Sequence, residues 1–195
     1  MNRKEQLPTD SQKSFYDSIM DLHETLDNAF MRNHHRSLPL NEVLIDRWDR
    51  AKKLGFGEKS SIYDSSVVIG DVKVGMNVWI GPFTIIDGSG NIVIGDYCTI
   101  SAGVHIYTHD NVKQTLTSGV IEIERTPVSI GNNVYIGPNA IITKGISIGN
   151  TCVIGANAFV NRDVPAYSII MGQPGKVVGK IEFKDGIPVF VYDKK

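Results

Sequence analysis

Two histidines, His105 and His109, lie four residues apart in the segment VHIYTHDN. Charged side chains follow them closely: Asp110, Lys113, Glu122, Glu124 and Arg125. An imidazole titrates close to neutral pH, so it can take a proton from a reacting group or, as the neutral ring, bind a metal ion. This segment is therefore the first candidate for chemistry in the chain, and its position depends on the elements around it.

A six-residue repeat surrounds this segment and predicts the scaffold that holds it. From Val128 to Val160, one apolar series falls at Ile130, Ile136, Ile142, Ile148, Ile154 and Val160, and a second series lies two residues ahead at Val128, Val134, Ala140, Ile146, Cys152 and Ala158. A helix needs apolar residues at a spacing of about 3.6 and a plain strand needs about 2. A fixed spacing of six therefore predicts very short strands separated by sharp corners, where Gly, Asn and Pro supply the turns. Such a chain coils into a solenoid with a continuous aliphatic core.

The repeat starts near Ile62 and is interrupted twice. It runs through Ile62, Val68, Val74, Ile80 and Ile86, slips by two residues within the segment DGSGNIV, and resumes at Ile94, Ile100 and Ile106. The fourteen apolar stations predict about four to five coils, and the slip predicts a bulge at one corner. Residues 107–127 carry no hexad although the period holds on both sides, so they are predicted to be a loop thrown outward from a corner. Loops held on rigid scaffolds are common places for chemistry.

The ends of the chain do not repeat. Residues 1–60 are predicted to form a helical cap, with an amphipathic helix marked by Phe15, Ile19, Leu22, Leu26 and Phe30 and started by Asp10 or Ser11. A second short helix is predicted in LNEVLIDRWDRAKKL, stopped by Gly55. The solenoid is assigned to residues 61–181. In the tail, 182–195, a DG turn between two apolar runs predicts a small hairpin.

Composition narrows the range of functions. The chain has 195 residues, 42% of them hydrophobic, and a net charge of −1, which gives no electrostatic basis for binding nucleic acid. No apolar run approaches the roughly 20 residues of a membrane span, and the first ten residues lack the apolar core of a signal peptide, so a cytoplasmic protein is expected. Cys98 and Cys152 fall on the inner minor series, where they are predicted to be structural.

Three segments resemble a known family: VHIYTHDN, the hexads NNVYIGPN, and the closing MGQPGKVVG. Over about Ile62–Lys180 the chain resembles the hexapeptide-repeat acyltransferase superfamily, above all the sugar O-acetyltransferases of surface-polysaccharide synthesis and, more distantly, the maltose and galactoside acetyltransferases. The resemblance implies a mainly β fold: a left-handed parallel β-helix with three hexads per coil, an N-terminal helical segment and an outward loop. The left hand comes from the resemblance alone, because spacing does not reveal it.

The resemblance also implies roles for particular residues. His109 aligns with the general base of the family, which takes the proton from an acceptor hydroxyl as it attacks the thioester of acetyl-CoA, directly and without an acyl-enzyme. Asp87 nearly matches the family's active-site aspartate, which would fix the other imidazole nitrogen. The donor path would be lined by Tyr135, Ala156, Asn161, Arg162 and Lys176. The resemblance further implies a homotrimer, a sugar or sugar-nucleotide acceptor, and no metal.

Several alternatives stay open at this point. His105 competes with His109 as the base, although it lies in a regular strand. An alternative acceptor is the amine of a nucleotide-linked amino sugar. In another class, a zinc lyase like the γ-class carbonic anhydrases would use His105 and His109 as two of three ligands, but the third histidine is missing from the coils. A non-catalytic scaffold is the remaining alternative.

Overall fold

The computed structural model describes residues 2–193, and its internal contacts divide the chain after Asp46 into two units. The sequence prediction had placed the end of the helical segment at residue 60. The smaller unit contains a 3-10 turn at Lys4–Gln6 and the helices α1 (Asp10–His34) and α2 (Leu40–Leu44).

Helix α1 is the predicted amphipathic helix, with two differences in detail. Its N-cap is Thr9, whose hydroxyl accepts the N–H of Gln12, so the prediction of Asp10 or Ser11 as the cap is wrong. Thr9 is the cap because its extended backbone leaves the side-chain oxygen facing the free amide of Gln12 in the first turn. Within the predicted apolar stripe, Ile19, Leu26 and Phe30 are half-buried, whereas the other two members are exposed.

The predicted second helix is two helices. Helix α2 ends at Leu44 because Ile45 takes an extended backbone, with φ −103° and ψ 116°. The chain then starts α3 (Arg47–Lys53), which belongs to the larger unit and is followed by Gly55 at φ +75°, a conformation that suits glycine after a helix. Ile45 is β-branched and such residues favour the extended region, so its residue type is a signal for the break that the apolar pattern alone does not show.

The larger unit is the predicted parallel β-helix, and its strands are short. They are β1 (Ser61–Ile62), β2 (Val67–Val74), β3 (Trp79–Ile80), β4 (Ile85–Ile94), β5 (Thr99–Ile100), β6 (His105–Tyr107), β7 (His109–Asp110), β8 (Glu124–Arg125), β9 (Val128–Ile130), β10 (Tyr135–Ile136), β11 (Ile141–Ile142), β12 (Ser147–Ile148), β13 (Val153–Ile154), β14 (Phe159–Val160), β15 (Ser168–Met171), β16 (Lys176–Lys184) and β17 (Ile187–Tyr192).

These strands stack into three faces. The first face runs β1-β3-β5-β10-β13-β15, all parallel. The second face runs β2-β4-β6-β11-β14. The third runs β2-β4-β9-β12, because β2 and β4 are long enough to turn a corner and serve two faces.

The core is the continuous aliphatic stack that the repeat predicts. Ile80, Ile86, Ile100, Ile136 and Ile154 have no exposed surface, and nearly all members of both inner series are buried. The coil count is slightly higher than predicted, since the first face holds six parallel strands and so marks five full coils and the start of a sixth. The additional stations are Val164 and Ile170, which are buried although the hexad rhythm has ended.

Both predicted irregularities are confirmed. Strand β4 carries two extra residues at its corner, since Gly70 pairs with Gly88 whereas Val72 pairs with Ile92. Residues 107–127 leave the solenoid, and they are more ordered than a plain loop. Strands β7 and β8 pair antiparallel, and the short helix α4 (Val112–Leu116) lies between them.

The predicted C-terminal hairpin is also present. Strand β16 leaves the first face antiparallel to β15 and then pairs with β17. Asp185 and Gly186 join β16 to β17, and both have positive φ, 50° and 77°, as a tight hairpin turn requires. Within residues 2–193, none of the helices combines the length and the apolar character that crossing a bilayer takes.

Candidate active site

The two irregular segments meet, and their meeting point brings together Asp87 and His109. Asp87 lies in β4 where the two extra residues begin, and His109 opens β7 at the base of the outward loop. Nδ1 of His109 is 2.8 Å from Oδ2 of Asp87. The carboxylate is nearly buried, with 5% of its side chain exposed, whereas the imidazole is 34% exposed. The pair therefore has one protected member and one that can reach a bound molecule.

The contact is close but not a straight hydrogen bond. Nδ1 is sealed from solvent, and its N–H is not aimed along the line to the carboxylate oxygen. Hydrogen bonds of catalytic histidines are commonly loose in a free enzyme and tighten when substrate binds.

The other carboxylate oxygen of Asp87 is held by Ser89. Oδ1 accepts the backbone N–H of Ser89 at 3.0 Å and its hydroxyl at 2.5 Å. The extra residues of β4 therefore supply the group that fixes the carboxylate. Ser89 was not singled out from the sequence, and its place within the two-residue slip was the available signal.

Ion pairs hold the base of the outward loop against the next coil. Lys144 lies 2.7 Å from Asp110 and 2.5 Å from Glu124, and Glu124 also pairs with Lys113. The hydrogen bond from Lys144 lowers the pKa of the Asp110 carboxyl, while Lys113 and then Lys144 lower the pKa of Glu124. The same contacts, led by Asp110, raise the pKa of Lys144. Lys144 is a second functional candidate that sequence reasoning missed, because its partners lie across a corner.

His105 lies in a different environment. Its Nδ1 is 3.1 Å from the hydroxyl of Tyr107, and the two rings meet edge to face. Both side chains are half-buried and stand on the outer side of β6. The structure thus brings His109, rather than His105, to a carboxylate.

The predicted donor-binding residues divide into two groups. Asn161, Arg162 and Lys176 line one cavity of about 260 Å³, together with Asp163 and Val177 among others. Tyr135 instead lies on the outer side of the first face, between Thr99 and Val153 in the ladder. Ala156 is exposed at the corner after β13 and does not line the cavity.

The cavity lies on the same edge of the solenoid as the Asp87–His109 pair. In the second face, Ile106 pairs with Ile142, which in turn pairs with Val160. The ends of β6 and β14 are therefore two strand spacings apart, or roughly 10 Å along the stack. A long, thin molecule could follow this edge from the cavity to the imidazole.

The thiols and possible metal ligands complete the inventory. Burial raises the pKa of Cys98 and of Cys152, and both free thiols lie in the inner series as predicted. Among the residues that the structure describes, no group of three or more histidine, cysteine or carboxylate side chains is placed to hold a metal ion.

Comparison with known proteins identifies the repeat. The family model described as "Hexapeptide repeat of succinyl-transferase" matches residues 71–108 and 127–162. The two matches stop and restart at the outward loop. Both segments therefore carry this hexapeptide repeat, and the chain is similar to hexapeptide-repeat acetyltransferases.

Three of the similar proteins are informative. Protein CapG of Staphylococcus aureus is 49% identical over 92 residues, which cover 47% of this chain and 54% of CapG. Galactoside O-acetyltransferase of Escherichia coli K12 is 30% identical over 132 residues, covering 57% of this chain and 65% of that enzyme. A solved structure of the hexapeptide-repeat containing acetyltransferase VCA0836 of Vibrio cholerae, in complex with acetyl coenzyme A, is 25% identical with a TM-score of 0.52. That alignment covers 84% of this chain and 87% of VCA0836.

The similarity to the curated relatives is partial. The chain spans between about half and just under two thirds of the length of the curated relatives that it matches first.

Proposed function

We propose that this hexapeptide-repeat protein is an acetyl-CoA-dependent O-acetyltransferase that acts on a sugar or a sugar-containing precursor of a surface polysaccharide. The observation that carries the proposal is the pair formed by His109 and the nearly buried Asp87, 2.8 Å apart at the junction of the two irregular segments. The similarity to galactoside O-acetyltransferase supports a sugar hydroxyl as the acceptor, and the acetyl-CoA complex of the Vibrio relative supports the donor.

In this proposal His109 is the general base. With Nδ1 protonated beside the Asp87 carboxylate, Nε2 is the nitrogen that accepts the proton of the acceptor hydroxyl. The alkoxide oxygen forms a bond to the thioester carbonyl carbon, and the tetrahedral intermediate collapses by breaking the carbon–sulfur bond. The coenzyme A thiolate leaves with the proton returned by the imidazolium. Such proton transfer is worth roughly 10²–10⁴-fold in rate.

The proposal has the acetyl group pass directly from donor to acceptor. A covalent route would need an accessible thiolate, because the thiolate is the nucleophilic form of cysteine. Cys98 and Cys152 are both buried, and burial raises the pKa of each thiol. Neither is suited to attack a thioester.

The donor path in the proposal follows the edge that joins the cavity to His109. Arg162 and Lys176 are the cations at the cavity, and they suit the phosphates of the coenzyme. Asn161 adds an amide that can bind the pantetheine arm. Tyr135 and Ala156 lie away from the cavity, so their proposed contact with the donor rests on family alignment alone.

A homotrimer and a cytoplasmic location complete the proposal. A row of side chains on the outer side of the second face is largely apolar, and it suits contact with another subunit: Val67, Ile85, His105, Ile141 and Phe159. A neighbouring subunit there would close the open side of the acceptor site. Light scattering of the purified protein would test the trimer.

The test of the proposed function pairs acetyl-CoA binding by calorimetry with release of free thiol against a panel of sugars, amino sugars and sugar nucleotides. We expect wild type, His109→Gln and His105→Gln all to bind acetyl-CoA. Thiol release should fall by roughly 10²–10⁴-fold in His109→Gln and stay close to wild type in His105→Gln. His105→Gln is the matched control, because it removes an imidazole from the neighbouring strand.

Other results would change the assignment. Loss of turnover in His105→Gln with a normal His109→Gln would transfer the role of base to His105. An N-acetylated product, identified by mass spectrometry, would move the acceptor to a nucleotide-linked amino sugar. Failure of all three proteins to bind acetyl-CoA would leave the zinc lyase and the scaffold as the remaining hypotheses.

A further inference from the structure

Thr108 connects the two irregular segments through one hydroxyl group. Its side chain has no exposed surface. The hydroxyl donates to the backbone carbonyl of Asp87 at 2.6 Å, and it accepts the backbone N–H of Gly90 at 2.7 Å. Both ends of the extra turn in β4 are thus bonded to the residue that immediately precedes His109.

The backbone of Thr108 reinforces this connection. Its carbonyl oxygen accepts the N–H of Thr126, so the returning end of the outward loop is tied to the same residue. The approach to Gly90 is close: a Cβ at that position would lie 2.7 Å from the carbonyl oxygen of Thr108. Only glycine allows the two backbones to approach so closely without displacement.

We propose that Thr108 is the positioning residue that sets the geometry of the Asp87–His109 pair and thereby the tautomer of His109. Its catalytic meaning rests on the function proposed above. Asp87 is held through its main chain by the Thr108 hydroxyl, and His109 is covalently attached to Thr108. One side chain therefore determines the separation of the imidazole and the carboxylate. The acceptor that faces one ring nitrogen decides which nitrogen carries the proton, so this separation keeps Nε2 free as the base.

Thr84 supplies a matched control in the same pair of coils. It is also a threonine with no exposed surface, and it precedes β4. Within the part of the chain that the structure describes, its hydroxyl is buried without a hydrogen-bond partner. Replacement of Thr84 by valine removes a hydroxyl of equal burial from the residue just before β4 without touching the irregular segments.

The experiment compares Thr108→Val, Thr108→Ser, Thr108→Cys and Thr84→Val with wild type. The first readout is the tautomer of His109, measured from its imidazole ¹⁵N shifts at a pH where the ring is neutral and assigned with His109→Gln. We expect the Nδ1–H form in wild type, Thr108→Ser and Thr84→Val, and a mixture with Nε2–H in Thr108→Val. Thr108→Cys should lie between, because a thiol is a weak hydrogen-bond donor and acceptor.

The second readout is steady-state kinetics with the acceptor found above. In Thr108→Val we expect kcat to fall roughly 10–100-fold, the usual effect of losing an outer partner of a functional histidine, with KM for acetyl-CoA unchanged. Thr108→Ser should restore most of the turnover, and Thr84→Val should match wild type. If Thr108→Val does not fold, Thr108→Cys tests the same point, because it should show a smaller change of tautomer and of kcat in the same direction.

The outcomes separate the inference from the proposed function. Wild-type tautomer and turnover in folded Thr108→Val or Thr108→Cys would overturn the inference. Equal loss in Thr84→Val would also overturn it, because any buried hydroxyl would then have the same effect. If wild type releases no thiol with any acceptor yet Thr108→Val still changes the tautomer, the proposed function falls and the positioning role of Thr108 stands.

Discussion

Asp87 and Asp96 lie at two corners of the same coil and use their carboxylates differently. At the regular corner, Oδ1 of Asp96 accepts the backbone N–H of Met76 from the preceding coil at 2.7 Å. The N–H of Asp96 in turn donates to Oδ1 of Asn132, whose own N–H donates to Asn150. These side chains form a ladder of hydrogen bonds that joins successive coils. The Asp96 carboxylate therefore serves to bind backbone of the neighbouring coil.

At the irregular corner the carboxylate is available for chemistry. The two extra residues let Ser89 hold one oxygen of Asp87 locally, and the second oxygen faces His109. The difference teaches that this solenoid acquires a candidate site by breaking its own period. A regular corner binds its polar side chains to the backbone of neighbouring coils, whereas Asp87 at the lengthened corner binds Ser89 within its own turn and has its second oxygen beside His109.

The largest expected effect is on stability and comes from the regular wall. Ile136 is fully buried, and it stacks between Ile100 and Ile154. Ile136→Ala should lower the free energy of unfolding by about 2–5 kcal/mol, because the neighbouring rows cannot close the cavity. Chemical denaturation at fixed protein concentration measures this loss.

The control for this variant is Val93→Ala, which shortens a half-exposed residue on the outer side of β4 and should stay within about 0.5 kcal/mol of wild type. The turnover of folded Ile136→Ala should equal that of wild type. If fully folded Ile136→Ala loses turnover, the regular core and the irregular corner do not have separate roles in stability and chemistry.

The next effect separates the two aspartates directly. Asp87→Asn should reduce kcat roughly 10–100-fold, because the amide no longer selects the Nδ1–H tautomer of His109. Asp96→Asn should leave kcat unchanged, since the amide oxygen still accepts the N–H of Met76. Parallel thiol-release assays measure both, and equal losses in the two variants would contradict the contrast between the corners.

The sequence predicted the solenoid well because its physics is local and repeated. Each hexad independently specifies two inward residues and a corner, so the successive hexads from Ile130 to Val160 all predict the same coiled structure. The tail hairpin follows from the DG turn. The number of coils was predicted slightly too low because Val164 and Ile170 stack in the core without the six-residue spacing. The second helix was predicted whole because its apolar pattern continues through Ile45, where the backbone turns extended.

The candidate site could be predicted only in part. His109 and Asp87 were found by resemblance, and the structure brings them together. Thr108 and Lys144 were missed because each contacts residues that are distant in sequence. Ser89 was missed because the path of the chain through the two-residue slip decides which groups meet Asp87. The sequence shows at which corner the two extra residues lie, but it does not give the backbone conformation that they adopt.

A smaller effect tests the ladder at the regular corner. Asn132→Ala removes the acceptor of the Asp96 N–H and should lower the free energy of unfolding by about 0.5–1 kcal/mol, a modest loss because the bond is exposed. Asn132→Asp is the control, since it keeps the acceptor oxygen. Turnover should be unchanged in both variants. Equal destabilisation by both would show that the ladder bond is not the cause.

The smallest expected effect concerns the pH dependence of the outward loop. The pKa values of Asp110 and Glu124 are lowered in the folded protein by their lysine partners, so their contribution is full above the ordinary carboxyl pKa of about 4. It is lost as the pH falls through the lowered folded values, while the raised pKa of Lys144 keeps that lysine charged throughout this range.

Wild-type protein should therefore resist cleavage in residues 107–127 at pH 6 and lose that resistance below about pH 4, measured with an acid-tolerant protease in brief digestions. Lys144→Met removes the cation that both carboxylates share and leaves only the pair of Lys113 with Glu124, so the loop should be cleaved faster at pH 6 and should respond less to acid than in wild type. Lys73→Met, at an exposed lysine of the third face, is the control and should follow wild type. A wild-type loop that stays closed at pH 3 would mean that hydrogen bonds to the Thr108 and Thr126 backbone, rather than the ion pairs, hold it against the corner.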